Sequence, residues 1–216
     1  MTLSIENDLI PKVRTLIDEV AHDATEDFSS DLDAEIRNSI IMAAQKMKRD
    51  LGRAFLLPVS FDRCALTAGD DGIGTATMPD DFGTLVEFQL KGWLQPVTDF
   101  IEPGSAEAKQ QMHPWTRGSA SKPVAMVTLS ANGVNSITYF CAQKQGDAYR
   151  HELDHFHYIP VIDDSTEVLP IADEAYDMLL YQSAALLMLS KGETEIAGQL
   201  ASMGSLTPQQ EVAETE

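Results

Sequence analysis

The 216-residue chain is 44% hydrophobic and 23% charged, an ordinary globular composition with enough apolar residues for a core. It carries 34 acidic against 15 basic side chains, a net charge of −19, which argues against a grip on nucleic-acid phosphates or attachment to anionic membrane. No apolar run approaches the roughly 20 residues that span a bilayer. The opening residues lack the basic start and apolar stretch of a secretory signal, and two cysteines, Cys64 and Cys141, are too few for a disulfide framework. These features predict a protein made in the cytosol whose two thiols are free and buried.

The first region reads as helical. Leu9, Val13, Leu16, Ile17 and Val20 recur at helical spacing, and Pro11 is tolerable because it falls near the helix start. A polar stretch from His22 to Ser30 breaks the pattern, and Ser30 or Asp31 then caps a second helix. Along it Leu32, Ile36, Ile40, Ala43, Met47 and Leu51 form one apolar stripe. Acidic Asp31, Asp33 and Glu35 sit early and Lys46, Lys48, Arg49 and Arg53 late, each sign complementing its end of the helix dipole, and Gly52 helps close the helix.

From Phe55 to Asp164 the chain turns to Val, Thr, Phe, Tyr, Gly and Pro. The glycines of 69–74 lack the Lys-Ser/Thr of a phosphate-binding loop and the ligand spacing of a calcium loop, so they predict a loop or hairpin tip. Met78-Pro79-Asp80-Asp81-Phe82 predicts a tight turn into a strand from Thr84 to Leu94, with Trp93 near its end. Ser105 to Met112 predicts a short surface helix. Val124–Ser130 and Ser136–Ala142 flank Asn132-Gly133, a strong hairpin signal. Gln145-Gly146-Asp147 predicts a turn into a long strand, Ala148–Ile159, that completes a meander with that hairpin.

The last region returns to helix. Pro170 suits a first helical position, Asp173 and Glu174 load the first turn, and Tyr176, Leu179, Leu180, Ala184 and Leu187 mark the buried side. Lys191-Gly192 is a stop signal. A short helix, Thr194–Met203, follows, with Ile196, Leu200 and Met203 on one side. Leu206–Glu216 is polar and holds no Lys or Arg. The fold class expected is therefore α+β: a helical bundle from residues 1–54 and 165–204, an inserted antiparallel β-rich domain at 55–164, and a flexible tail from 205 to 216.

One motif carries a catalytic possibility. His151-Glu152-Leu153-Asp154-His155 fits the H-E-x-x-H pattern, in which two imidazoles one helical turn apart hold zinc while the glutamate activates water. His157 and Glu174 are further possible ligands, so a zinc-dependent hydrolase is the alternative function. The aromatic and apolar neighbours Tyr149, Phe156, Tyr158 and Ile159 suit a strand instead. In an extended chain the two histidines would stand ~13 Å apart, beyond the reach of one metal, with Glu152 on the other face. The strand reading is preferred, and neither cofactor nor metal nor catalytic residue is expected. The basic group Lys46, Lys48, Arg49 and Arg53 serves the helix dipole or docks an acidic partner or a neighbouring subunit.

The pattern Met78–Phe82 resembles the apolar-Pro-x-Asp-Phe turn of tailed-phage head–tail connector (adaptor) proteins. Tyr149–Tyr158 with Ile159-Pro160 resembles their long alternating strand. Leu169-Pro170, Ala175–Tyr181, Ala184–Leu186 and Lys191–Glu193 resemble their final helix. The resemblance spans roughly Leu3 to Met203 and extends to podophage tail tubular or gatekeeper proteins. It departs at Asp99–Lys122, longer than a minimal adaptor needs, and at the histidines of the long strand. It implies a non-enzymatic virion subunit made in the host cytoplasm. Such a subunit forms a ring, typically of twelve copies, beneath the portal and joins it to downstream tail proteins while DNA passes through. The tail residues Leu206, Thr207, Pro208, Gln209 and Gln210 would then reach a portal groove or a partner subunit.

Overall fold

The computed structural model describes residues 2–20, 32–52, 55–129 and 135–205. The chain is mixed α and β with several antiparallel sheets and divides into two compact units. One unit is Met1–Leu57 with Ile162–Glu216; the other is the continuous stretch Pro58–Val161.

The first unit opens with strand β1 (Thr2–Ser4), which pairs antiparallel with β11 (Val168–Pro170). A wide π-helical turn, Ile5–Leu9, leads into α1 (Ile10–Val20). Its cap is reciprocal: Ser4 Oγ accepts from Asn7 N at 3.2 Å, and Ser4 N donates to Asp8 Oδ2 at 2.8 Å. The helical path therefore starts four residues before the apolar periodicity at Leu9 suggests. The wider turn ahead of Pro11 fits a residue that lacks the N–H of an α-helical bond and whose ring crowds the carbonyl one turn earlier.

α2 (Leu32–Leu51) buries the expected stripe from Leu32 to Met47, while Leu51 is only half-buried and Ser39, Ile41 and Ala44 are buried as well. The face is wider because α2 packs against both α1 and α4 (Tyr176–Ser190). Gly52, at φ +58°, takes the left-handed conformation that ends the helix. α4 also meets α1 and α5 (Thr194–Met203), so it is apolar on nearly every side rather than along one. In α5 the buried residues are Ala197 and Leu200, while Met203 is 61% exposed, a correction to the expected face.

Pro170 does not begin a helix. It closes β11 opposite Thr2, its carbonyl accepts from Leu57 N at 2.8 Å, and a 3₁₀ turn at Asp173–Ala175 starts the helical path instead. The missing N–H of proline costs nothing at that edge position. Residues 55–57 belong with this unit, where Phe55 is fully buried and Leu56 bridges Ile171. Ile162 belongs there too, its carbonyl accepting from Gln45 Nε2 at 2.9 Å.

The second unit holds a three-stranded sheet in the order β2 (Val59–Ser60), β10 (Leu153–Pro160), β5 (Phe82–Leu90). A four-stranded sheet runs β3 (Leu66–Ala68), β4 (Gly74–Thr77), β7 (Asn135–Tyr139), β6 (Ala125–Leu129). The two share one aromatic core. Phe88 on β5 lies 5.6 Å from Phe156 on β10, 6.2 Å from Tyr139 on β7 and 5.7 Å from Trp93, ring centre to ring centre. The indole N–H of Trp93 donates to Cys141 O at 2.7 Å, so its polar end is satisfied inside the core.

β6 and β7 pair as the hairpin signal implies, although Asn132-Gly133 itself lies outside the described residues. The glycine-rich stretch is a hairpin tip between β3 and β4, with Gly69 N donating to Ile73 O. The short helix α3 spans Ala106–Gln111, capped by Ser105 Oγ accepting from Ala108 N. The meander is overturned. The run Ala148–Ile159 is broken at His151-Glu152: β9 (Ala148–Arg150) pairs with β8 (Gln143–Gln145), and β10 joins β5 and β2 rather than the β6–β7 hairpin. A turn fixes only its two flanking strands, and the tight turn at Gly146, φ +65°, is used up by the short β8–β9 pair.

Candidate interaction site

The basic group of α2 lies at its C-terminal end. Lys46 and Arg49 are exposed, Lys48 is half-buried, and Arg53 lies outside the described residues. Burial holds the Lys48 ammonium below its ordinary pKa. Arg49 Nε stands 3.5 Å from Asp50 Oδ1 with both side chains largely in solvent, so that pair anchors little. The three described cations lie together at one helix end. The other proposed contacts, Leu206, Thr207, Pro208, Gln209 and Gln210, also lie outside the described residues.

The H-E-x-x-H stretch is not helical. His151 and Glu152 lie between β9 and β10, and His155 sits on β10 past an irregularity in register at Asp154. Each side chain has a separate neighbour. His151 Nδ1 shares a 2.8 Å hydrogen bond with the hydroxyl of Tyr139, and burial lowers its pKa. Burial also pushes the Tyr139 phenol up to about 12. Glu152 accepts from Arg150 Nη2 at 2.8 Å and lies 3.3 Å from Lys91 Nζ. Those two cations hold its carboxyl below the usual range, the Arg150 hydrogen bond first.

His155 and His157 project beside each other, ring centres 5.6 Å apart, and meet Glu87 on the facing strand. Glu87 Oε1 is 2.9 Å from His157 Nδ1 and 3.6 Å from His155 Nε2. Sequence reasoning missed Glu87, because only the β5–β10 pairing brings it there. Glu174 belongs to the other unit. Among the described residues, no group of three or more His, Cys, Asp or Glu is disposed to hold a metal ion. The arrangement demanded of a zinc hydrolase, two imidazoles on one helix face with a glutamate beside them, is not formed.

The turn at Met78–Phe82 is formed as its residues imply. Phe82 N donates to Pro79 O at 3.2 Å, and β5 begins at Phe82. The turn is then tied to the end of β10. Tyr158 Oη donates to Asp81 Oδ1 at 2.7 Å, Val161 N donates to Asp81 O at 2.7 Å, and the Phe82 and Tyr158 rings stack at 5.9 Å. Two stretches distant in sequence are one local structure.

A further exposed feature escaped the sequence reading. Trp115, just beyond α3, is 97% exposed. Its signal was compositional: from Ala108 to Gly146 the chain has no Asp or Glu, in a protein otherwise crowded with them.

Among the described residues no helix is long and apolar enough to cross a membrane. No protein-family model matches the chain, and no curated protein matches it.

Proposed function

We propose that this chain is a structural subunit of a tailed-phage particle, a head–tail connector that docks on the portal as one member of a ring. The observation that carries the reading is the clamp between Asp81 and Tyr158. It joins the two stretches that most resemble those of connector proteins, the Pro-x-Asp-Phe turn and the end of the aromatic strand, into one unit. In this reading the helices of the first unit form the bundle that meets the portal and neighbouring copies. The β-rich unit faces the tail proteins, and the segment from Leu206 orders on its partner, gaining contacts at an entropic cost. The net charge of −19 suits a ring that DNA must traverse without adhering to its wall.

Electron microscopy of the purified chain mixed with portal rings tests this. The expected result is a twelve-fold collar on one face of the portal, weakened when residues 206–216 are deleted. Portal rings that stay bare at saturating protein would remove the reading.

A further inference from the structure

Trp115 is 97% exposed, whereas a tryptophan ordinarily contributes one of the largest apolar areas a residue can bury. The turn that carries it is braced. Thr116 Oγ1 donates to Gln110 O at 2.6 Å, Arg117 N donates to His113 O at 3.1 Å, and Gly118 N donates to the buried Gln111 Oε1 at 2.8 Å. The Arg117 guanidinium adds two bonds, Nε to Gln111 O at 3.1 Å and Nη1 to Asp71 O at 2.8 Å. A large aromatic with only two side-chain torsions, carried on a braced backbone, loses comparatively little freedom on binding, which is the property of an interface anchor. Met112, 57% exposed, precedes it on the same turn.

Charge indicates what covers it. The acid-free stretch 108–146 carries Lys109, Arg117, Lys122 and Lys144, and none of these is ion-paired to a described carboxylate. A partner should therefore be acidic and offer an apolar recess. The chain supplies one itself. At the start of α3 lies a groove of about 490 Å³, with Phe100, Ile101 and Val124 among its lining and three acids, Asp99, Glu102 and Glu107, against one cation, Lys122. Copies of a chain with net charge −19 repel at most surfaces, and this pairing is one they could make with attraction.

We infer that Trp115 of one copy seats in the Phe100–Val124 groove of the next, with Arg117 and Lys144, which line one recess beside Pro114, opposite Glu102 and Glu107. Knob and groove are different patches, so the contact is head-to-tail, the type that closes into rings. The ring itself rests on the connector reading; the contact does not.

The test uses the full chain and its own tryptophans. Trp93 is 4% exposed, so acrylamide quenching reports Trp115. On raising the concentration at low salt, sedimentation should show association, Trp115 should become protected in step with it, and added salt should reverse both. Trp115→Ala should weaken association roughly thirtyfold, as loss of an interface anchor does. A Glu102→Lys/Glu107→Lys chain should fail alone, yet pair with the Trp115→Ala chain, since each supplies what the other lacks. Association with Trp115 still fully quenched, a mixture as inert as its parts, or a wild-type chain that stays monomeric would each overturn the inference. Self-association through Trp115 without docking on portal rings would keep this contact and remove the connector reading. Docking on portal rings with no Trp115 contact between copies would do the reverse.

Discussion

Tyr158 donates its hydroxyl proton to Asp81 at 2.7 Å, across 77 positions of sequence. The bond fastens the turn that begins β5 to the end of β10, and burial with the adjacent carboxylate raises the phenol's pKa. Tyr158→Phe should lower stability by about 1 kcal/mol, a modest loss because the exposed Asp81 regains water. Urea unfolding should show a lower midpoint with an unchanged slope. An unchanged midpoint would mean the bond contributes nothing.

Two glycines should respond in opposite directions to alanine. At Gly74 an added Cβ would stand 2.3 Å from the hydroxyl oxygen of Tyr139, which is fully buried, so Gly74→Ala should cost about 1–3 kcal/mol. At Gly198, inside α5, nothing lies within 4 Å, and Gly198→Ala should gain about 0.5–1 kcal/mol. Thermal melting of the two variants beside the parent checks both signs.

Cys64 gives a pH dependence. Burial, the largest cause, lifts its thiol from 9.0 to about 11 in the folded chain. Between those values the unfolded chain has released the proton while the folded chain still holds it, so stability falls as pH rises from 9 toward 11. Cys141, also raised by burial, acts in the same direction. Urea midpoints across that window should decline, and Cys64→Ala should flatten the decline. A parent and variant with the same slope would show that Cys64 is not its source.

The histidine stretch should be indifferent to chelators. His151 and His155 have separate neighbours, Tyr139 and Glu87. Extensive dialysis against EDTA should leave the melting temperature unchanged. Metal analysis of the untreated protein should find no stoichiometric zinc, and about one zinc per chain, lost with His155→Ala, would contradict the geometry.

The local signals in the sequence were strong where a single element answers them. The Ser105 cap, the Thr194–Met203 helix and the stripe of α2 are all set by neighbours a few residues away. What could not be read was partnership. Alternation placed Phe156 and Tyr158 on a strand but did not say that β5 would lie beside it, because the pleat encodes a face and not a neighbour. Pro170 read as a helix start, and β1, far upstream, overrode that by pairing with it as an edge-strand residue. The same limit hid Glu87 beside the histidines, while Trp115 went unremarked because hydropathy alone assigns tryptophan to a core.

The β-rich unit leaves and rejoins the rest of the chain at neighbouring strands, since Val59 on β2 faces Tyr158 on β10. Once that unit has folded, the strands that open and close it lie side by side, about 5 Å apart, and its two ends are near neighbours. The segments before Pro58 and after Val161 then behave as though a short turn linked them, and the entropy of closing a long loop no longer opposes their meeting. The same closure makes the insert exchangeable, because a different unit with equally close ends could be spliced between the helices without altering their path.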